Sequence, residues 1–367
     1  MSRYQVFANP PCCPGSVRSH RTVSKAGSRW IWQAGLGTLA LHTGVAEWAP
    51  RVALGSFTRG SASGLDNRAR RTAAQPGENT MPAVEFFASA GAHHAEGPFW
   101  DDRTARLLFV DALAGSVVAI DTDGVAARYR LPSPVVTVVR RRASGGYAVA
   151  TEHGIAVCDE SFTKYDLIAE VTSDPALRTN DGGCDPLGGF VIGTMAYEQT
   201  PGAGAVFRIG VDHAVTPLLD GVSISNGVQW SLDGSQVFYV DTPTRRVDTF
   251  DVDPISGAWS GRRPHLWIDI AGAVPDGLAI DTEGGIWVAL WGVGAVAHYD
   301  ATGRYVETIQ IPGASQVSSC AFGGPNHDIL FITTSRQNLA RGEQPLAGAV
   351  FAVQTDFCGT RLAEFAG

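Results

Sequence analysis

Hydrophobic and polar positions alternate through most of this chain in short bursts, and each burst ends at a Gly, Asp or Asn. The pattern is plain in GVQWSLDGSQVFYVDTPTRRVDTFDVD after Asn226 and in GLAIDTEGGIWVALWGVGAVAHYDATG after Asp276. Each stretch reads as a strand, an Asp-Gly or Glu-Gly turn, a second strand, a break, and a third strand ending in Asp. Period-two alternation on this scale, punctuated by turn residues and without helical periodicity of useful length, predicts antiparallel β-meanders. The same grammar returns in GPFWDDRTARLLFVDALAGSVVAIDTDG after Glu96, in DGGCDPLGGFVIGTMAYE and GAVFRIGVD after Asn180, and in SSCAFGGPNHDILFITT followed by GAVFAVQTD. A weaker copy runs from Thr137 through ASGGYAVATEHGIAVCDE. Six units of roughly 45 residues predict an all-β chain folded as a six-bladed β-propeller with four strands per blade.

Composition separates the start of the chain from the rest. Residues 1–80 carry 10 Lys+Arg against 3 Asp+Glu, whereas 81–367 carry 18 against 33. The first part is rich in Ser, Arg, Gly and Ala and shows no repeat, so it is expected to be a disordered or non-native N-terminal extension, with 81–367 as the propeller domain. Met81 opens directly onto the repeats, which is consistent with a start there. The apolar run WIWQAGLGTLALHTGVA is interrupted by Gln33 and His42 and is too short to span a bilayer, so no membrane association is expected. The acidic balance of the repeats argues against nucleic acid as a partner. The basic triplet Arg140-Arg141-Arg142 reads as a solvated run. Six cysteines, at positions 12, 13, 158, 184, 320 and 358, show no paired metal-binding spacing. Buried, reduced thiols and a cytoplasmic location are the expectation.

Several motifs invite chemistry and lose it on inspection. Gly292-Val293-Gly294 lacks a following helix and reads as a hairpin turn, and no Gly-x-Ser-x-Gly elbow supplies a nucleophile. Trp100, Trp230 and Trp287 fall at one place in the repeat, as blade-to-blade packing residues would. His93 and His94 are adjacent on an extended segment, so at most one shares the surroundings of Glu96.

One constellation survives. Glu96-Gly97-Pro98, Asn180-Asp181-Gly182, Asn226-Gly227 and Asp276-Gly277 open four different repeats at the same phase, the last two intervals being 46 and 50 residues. Asn-Gly and Asp-Gly taken singly are turn dipeptides. In register on the innermost strands of a ring, they converge on its axis. Two carboxylates with amide oxygens are hard donors and suit Ca²⁺, Mg²⁺ or Mn²⁺ while tolerating Zn²⁺.

The strings AEGPFW, RTNDGGCDPLGGFVIGTM, SNGVQWSLDGSQVFYVDT, PDGLAIDTEGGIWVA and SSCAFGGPNHDILFITT resemble the regucalcin, gluconolactonase and luciferin-regenerating-enzyme family, also called the senescence marker protein family. The resemblance implies one divalent metal ion on the propeller axis, Ca²⁺ first among the candidates, held by Glu96, Asn226 and Asp276. It implies that Asn180 faces a bound substrate and that Arg178 and Glu198 bind sugar hydroxyls. The activity implied is hydrolysis of a sugar lactone, with the cation polarising the lactone carbonyl and Asp276 as general base. A non-catalytic calcium-binding regulatory protein of the same fold is the alternative, and a scaffold presenting its rim to a protein partner is a further one.

Overall fold

The structure, a computed structural model, describes residues 83–367, so the extension expected over 1–80 lies outside the described residues. Six four-stranded antiparallel sheets form, five of them meanders of consecutive strands. Their first strands are Ala95–Asp101, Val136–Arg141, Leu177–Cys184, Ser225–Trp230, Val274–Ile280 and Val317–Gly323, numbered here as blades one to six. Each of these strands touches the next and the last touches the first, which makes them the inner wall of a closed six-bladed propeller. Every repeat read from the sequence corresponds to one blade. No helix among the described residues is long and apolar enough to cross a membrane.

Alternation along the strands turns one set of apolar side chains toward each neighbouring blade, and the core accordingly divides into six clusters, one at each blade interface. Trp287 of blade five, fully buried, meets Phe322 of blade six edge-on at 5.6 Å. Trp100 stacks flat on Phe331 across the interface of blades one and six at 5.7 Å. The tryptophans do pack blade against blade, but not at one repeat position. Trp100 and Trp230 lie on inner strands and Trp287 lies on the second strand of its blade, Ile286–Trp291.

Blade six is closed by a strand the repeat pattern does not reveal. Val84–Ala88 pairs with Val350–Gln354 as the outermost strand, so the two ends of the domain share one sheet. Phe87 meets Phe331 at 5.0 Å on the inner side of this closure. The strand is short and half-exposed, and its partner is more than 250 residues away, which is why local periodicity carries no trace of it.

The last residues, 358–367, cross the opposite end of the channel from the site described below. Thr282 N donates to Cys358 O, Gly359 N to His327 O, Phe365 N to Arg141 O and Ala366 N to Gly188 O, tying the tail to blades five, six, two and three. The Arg103–Glu364 ion pair adds blade one. Phe365 is fully buried in the core between blades two and three, and Thr360 and Leu362 line the bottom of the central channel. Cys158, Cys184 and Cys320 are buried and free, as expected. Cys358 departs from that expectation. It stands at the start of the tail, beyond the blade strands, and is exposed.

Candidate metal centre

All six inner strands carry one extra residue relative to their partner at the same level of the channel. The register shifts between Glu96 and Phe99, Val136 and Val138, Thr179 and Gly182, Ser225 and Val228, Pro275 and Leu278, and Val317 and Ser319. A bulge releases its residues from the ladder and re-aims their side chains. Glu96, Asn180, Asn226 and Asp276 stand at these bulges, within strands rather than in the loops that their turn-like sequences suggest. The glycines that follow serve close approach rather than turning. A Cβ on Gly227 would lie 2.8 Å from the carbonyl oxygen of Asp276 in the next blade, and one on Gly277 would collide with Ser319.

The four bulge residues line one open pocket of about 260 Å³ at the channel mouth, together with His94, Arg178, Gln199, Thr242 and Trp291. Glu96, Asn226 and Asp276 are 6–9 % exposed. Their amide members are oriented by a chain of hydrogen bonds across three blades. Arg178 Nη1 donates to Asn180 Oδ1 at 2.7 Å, and Asn180 Nδ2 donates to Asn226 Oδ1 at 2.8 Å and to Ser225 O at 2.8 Å. Asn226 Nδ2 then donates to Thr242 Oγ1 at 2.6 Å, whose own proton goes to Pro275 O at 2.9 Å, beside Asp276. Because Thr242 must give its proton to a carbonyl, it can only accept from Asn226. That fixes the Asn226 amide with its oxygen toward Asn180 and the pocket. Thr242 was not legible as a site residue. It starts a 3₁₀ turn, Thr242–Thr244, and its only sequence signal is its place behind the Asp that ends the second strand of the blade.

The electrostatics call for a cation. Burial raises the pKa of Glu96 to about 8, with the negative charge of Asp181 adding to the rise. Burial, then Glu96 and Asp181, raise Asp276 well above the ordinary carboxylate range. Asp181 is itself raised by burial. None of the three makes an ion pair with Lys or Arg among the described residues; the contact recorded is His94 Nε2 to Glu96 Oε1 at 3.9 Å. A divalent ion placed between Glu96 and Asp276 would relieve the charge repulsion that disfavours ionisation of both. No group of three His, Cys, Asp or Glu side chains forms a cage among the described residues, so the donor set must be completed by amide oxygen, as Asn226 allows.

One expectation is corrected here. Arg140 and Arg141 are 5 % and 8 % exposed, not solvated. Arg140 lies in the channel below the pocket and donates to Gly97 O, Val139 O and Gly182 O, clasping the bulges of blades one and three. Its burial follows from the inner-strand position, which a run of three arginines disguises. Glu198 is exposed and outside the pocket lining. The chain leaves its strand at Ala196, and the left-handed Gln199 (φ +53°) that follows Glu198 is the residue of this turn that lines the pocket. Of the two histidines, His94 enters the pocket and His93 does not, as alternation from Glu96 requires.

Comparison with known proteins shows the family and agrees with the fold. Residues 94–336, from the first inner strand to the end of the last blade's second strand, match the SMP-30/Gluconolactonase/LRE-like region. Human regucalcin is 36 % identical over 283 residues, covering 74 % of this chain and 93 % of that protein. A Bacillus subtilis (strain 168) protein named as a candidate sugar lactone lactonase, YvrE, is 32 % identical over 294 residues, covering 78 % of this chain and 99 % of its own. Among solved structures, a calcium-binding regucalcin from Agrobacterium tumefaciens superposes with a TM-score of 0.73 at 26 % identity, covering 77 % of this chain and 97 % of that one. A match that takes in every inner strand, with relatives aligned over nearly their whole length, makes this chain a member of the SMP-30/gluconolactonase/LRE-like family.

Proposed function

We propose that this protein is a metal-dependent lactonase that opens sugar lactones at the channel mouth. The observation that carries the reading is the pair of buried carboxylates Glu96 and Asp276 in one pocket with an Asn226 amide whose oxygen is turned toward Asn180 rather than Thr242. Glu96, Asn226 and Asp276 would hold the cation, Ca²⁺ by donor hardness. Bound there, it would polarise the lactone carbonyl and acidify water. Asp276 takes the proton of the attacking water. Asn180, held at both ends by Arg178 and Asn226, orients the ring, and Arg178 and Gln199 face its hydroxyls from blade three. Glu198 joins them only if its turn rearranges around substrate. Free thiols at Cys158, Cys184 and Cys320 accord with a reducing compartment such as cytoplasm.

The test is proton release from D-glucono-1,5-lactone by full-length protein, before and after chelation and with Ca²⁺, Mn²⁺ or Zn²⁺ restored. Activity lost on chelation and regained with a divalent ion is the expected result. Inactivity on every aldonolactone, with cation binding intact, would leave a calcium-binding regulatory protein instead. Thr242→Val removes the acceptor that fixes the Asn226 amide, and metal affinity in a calorimetric titration is expected to fall about 10- to 100-fold, the usual cost of losing such a support. Unchanged affinity would remove Thr242 from the account.

A further inference from the structure

We propose that His94 is a hydroxyl-selecting contact of the pocket, donating from Nε2 to the substrate ring; this rests on the lactonase reading above. His94 stands two residues before Glu96 on the same face of blade one, and its ring is nearly buried while lining the pocket. Its backbone is pinned by donation of His94 N to Asp111 Oδ1 at 3.0 Å, and Asp111 is held in turn by Arg128 at 2.8 Å. The ring leans edge-on against Trp291 of blade five at 5.9 Å. Its Nδ1 meets Ser335 Oγ at 2.8 Å.

That contact is the basis for assigning the tautomer. Ser335 Oγ accepts from Gln337 N at 3.0 Å, and its single proton can go to His94 Nδ1 at 2.8 Å or to His93 O at 3.5 Å. We assign Ser335 as the donor to Nδ1, since its other acceptor, His93 O, is the more distant; with that tautomer Nε2 carries the hydrogen. Nε2 lies 3.9 Å from Glu96 Oε1, beyond hydrogen-bond reach, while Glu96 Oε2 is engaged by Gly97 N at 3.1 Å. A donor and an acceptor thus border one gap. A hydroxyl, which can accept from Nε2 and donate to Oε1, fits there and a methylene does not. Trp291 beside it offers the apolar face that the C–H side of a sugar ring requires. The side chain acts as a fixed donor and transfers no proton.

The probe is 1,5-anhydro-D-glucitol, a six-membered polyol ring without the reactive carbonyl, titrated calorimetrically into metal-loaded protein; lactone turnover is followed in parallel. His94→Leu is expected to weaken polyol binding at least tenfold and to raise KM for D-glucono-1,5-lactone by a similar factor, with metal affinity within threefold of wild type. His94→Gln, which returns an N–H near Nε2, is expected to recover part of the loss, and Ser335→Ala to weaken binding by a smaller factor. Metal affinity falling in step with polyol affinity in His94→Leu would overturn the proposal in favour of a ligand or structural role. Polyol affinity unchanged in His94→Leu, or absent in wild type, would also overturn it. A wild type that binds polyol through His94 yet hydrolyses no lactone would sustain the contact and sink the lactonase reading alone.

Discussion

Asp276→Asn, with the cation site shown to be full, is expected to bind lactone and lose about 10²- to 10⁴-fold in turnover, the range usual for removing a general base. The substitution preserves shape at a bulge where Gly277 and Gly227 press against neighbouring backbone, so the fold has no reason to change. What changes is the lone pair available to the attacking water. Burial and the charges of Glu96 and Asp181 raise the proton affinity of this carboxylate, which a group that must accept a proton needs. Bound cation lowers it again, and the working basicity is the balance of the two. Steady-state kinetics at saturating metal decide the matter: the loss should fall on kcat, whereas Arg178→Ala, which removes a ring contact, should mainly raise KM. Near-normal turnover in Asp276→Asn would take the proton-accepting role away from this residue.

Glu96→Gln is expected to lower metal affinity by one or more orders of magnitude while leaving the propeller folded, because it removes one of two charges that neutralise the ion. The amide oxygen of Gln can still accept from Gly97 N, as Glu96 Oε2 does at 3.1 Å, so the local backbone keeps its bond. A second readout accompanies the affinity. Burial and the charge of Asp181 favour the protonated form of Glu96 in the metal-free site. Cation binding must displace that proton, so wild-type affinity should rise with pH through neutrality and titrations in buffers of different ionisation enthalpy should report proton release. In Glu96→Gln that contribution from residue 96 should vanish. An unchanged dissociation constant would exclude Glu96 from the site.

The blades were legible because each is a local meander, and turn residues mark its hairpins within a span of about 45 residues. The four bulge residues were legible because they recur at one phase. Their geometry was not. Asn226-Gly227 and Asp276-Gly277 have turn chemistry, and only the approach of the next inner strand explains why glycine follows the functional residue inside a strand. Features set by contacts between distant repeats left no local mark. Arg140 is buried because three carbonyls from three strands surround it, Thr242 matters because Asn226 lies across from it, and Val84–Ala88 is a strand because Val350–Gln354 offers an open edge. Glu198 stands at a motif position, and the turn beyond Ala196 leaves it exposed while Gln199 lines the pocket.

The tail that crosses the lower end of the channel leaves the pocket facing the opposite mouth. Thr360 and Leu362 line the floor and Phe365 is anchored between blades two and three, at the far end of the channel from the pocket around Glu96 and Asp276. If the cation and the lactone of the proposed function both reach the pocket by that mouth, a ring seated against Asn180 and His94 would stand between the ion and solvent. The lactonase reading then predicts slower loss of cation to a chelator with substrate bound than without.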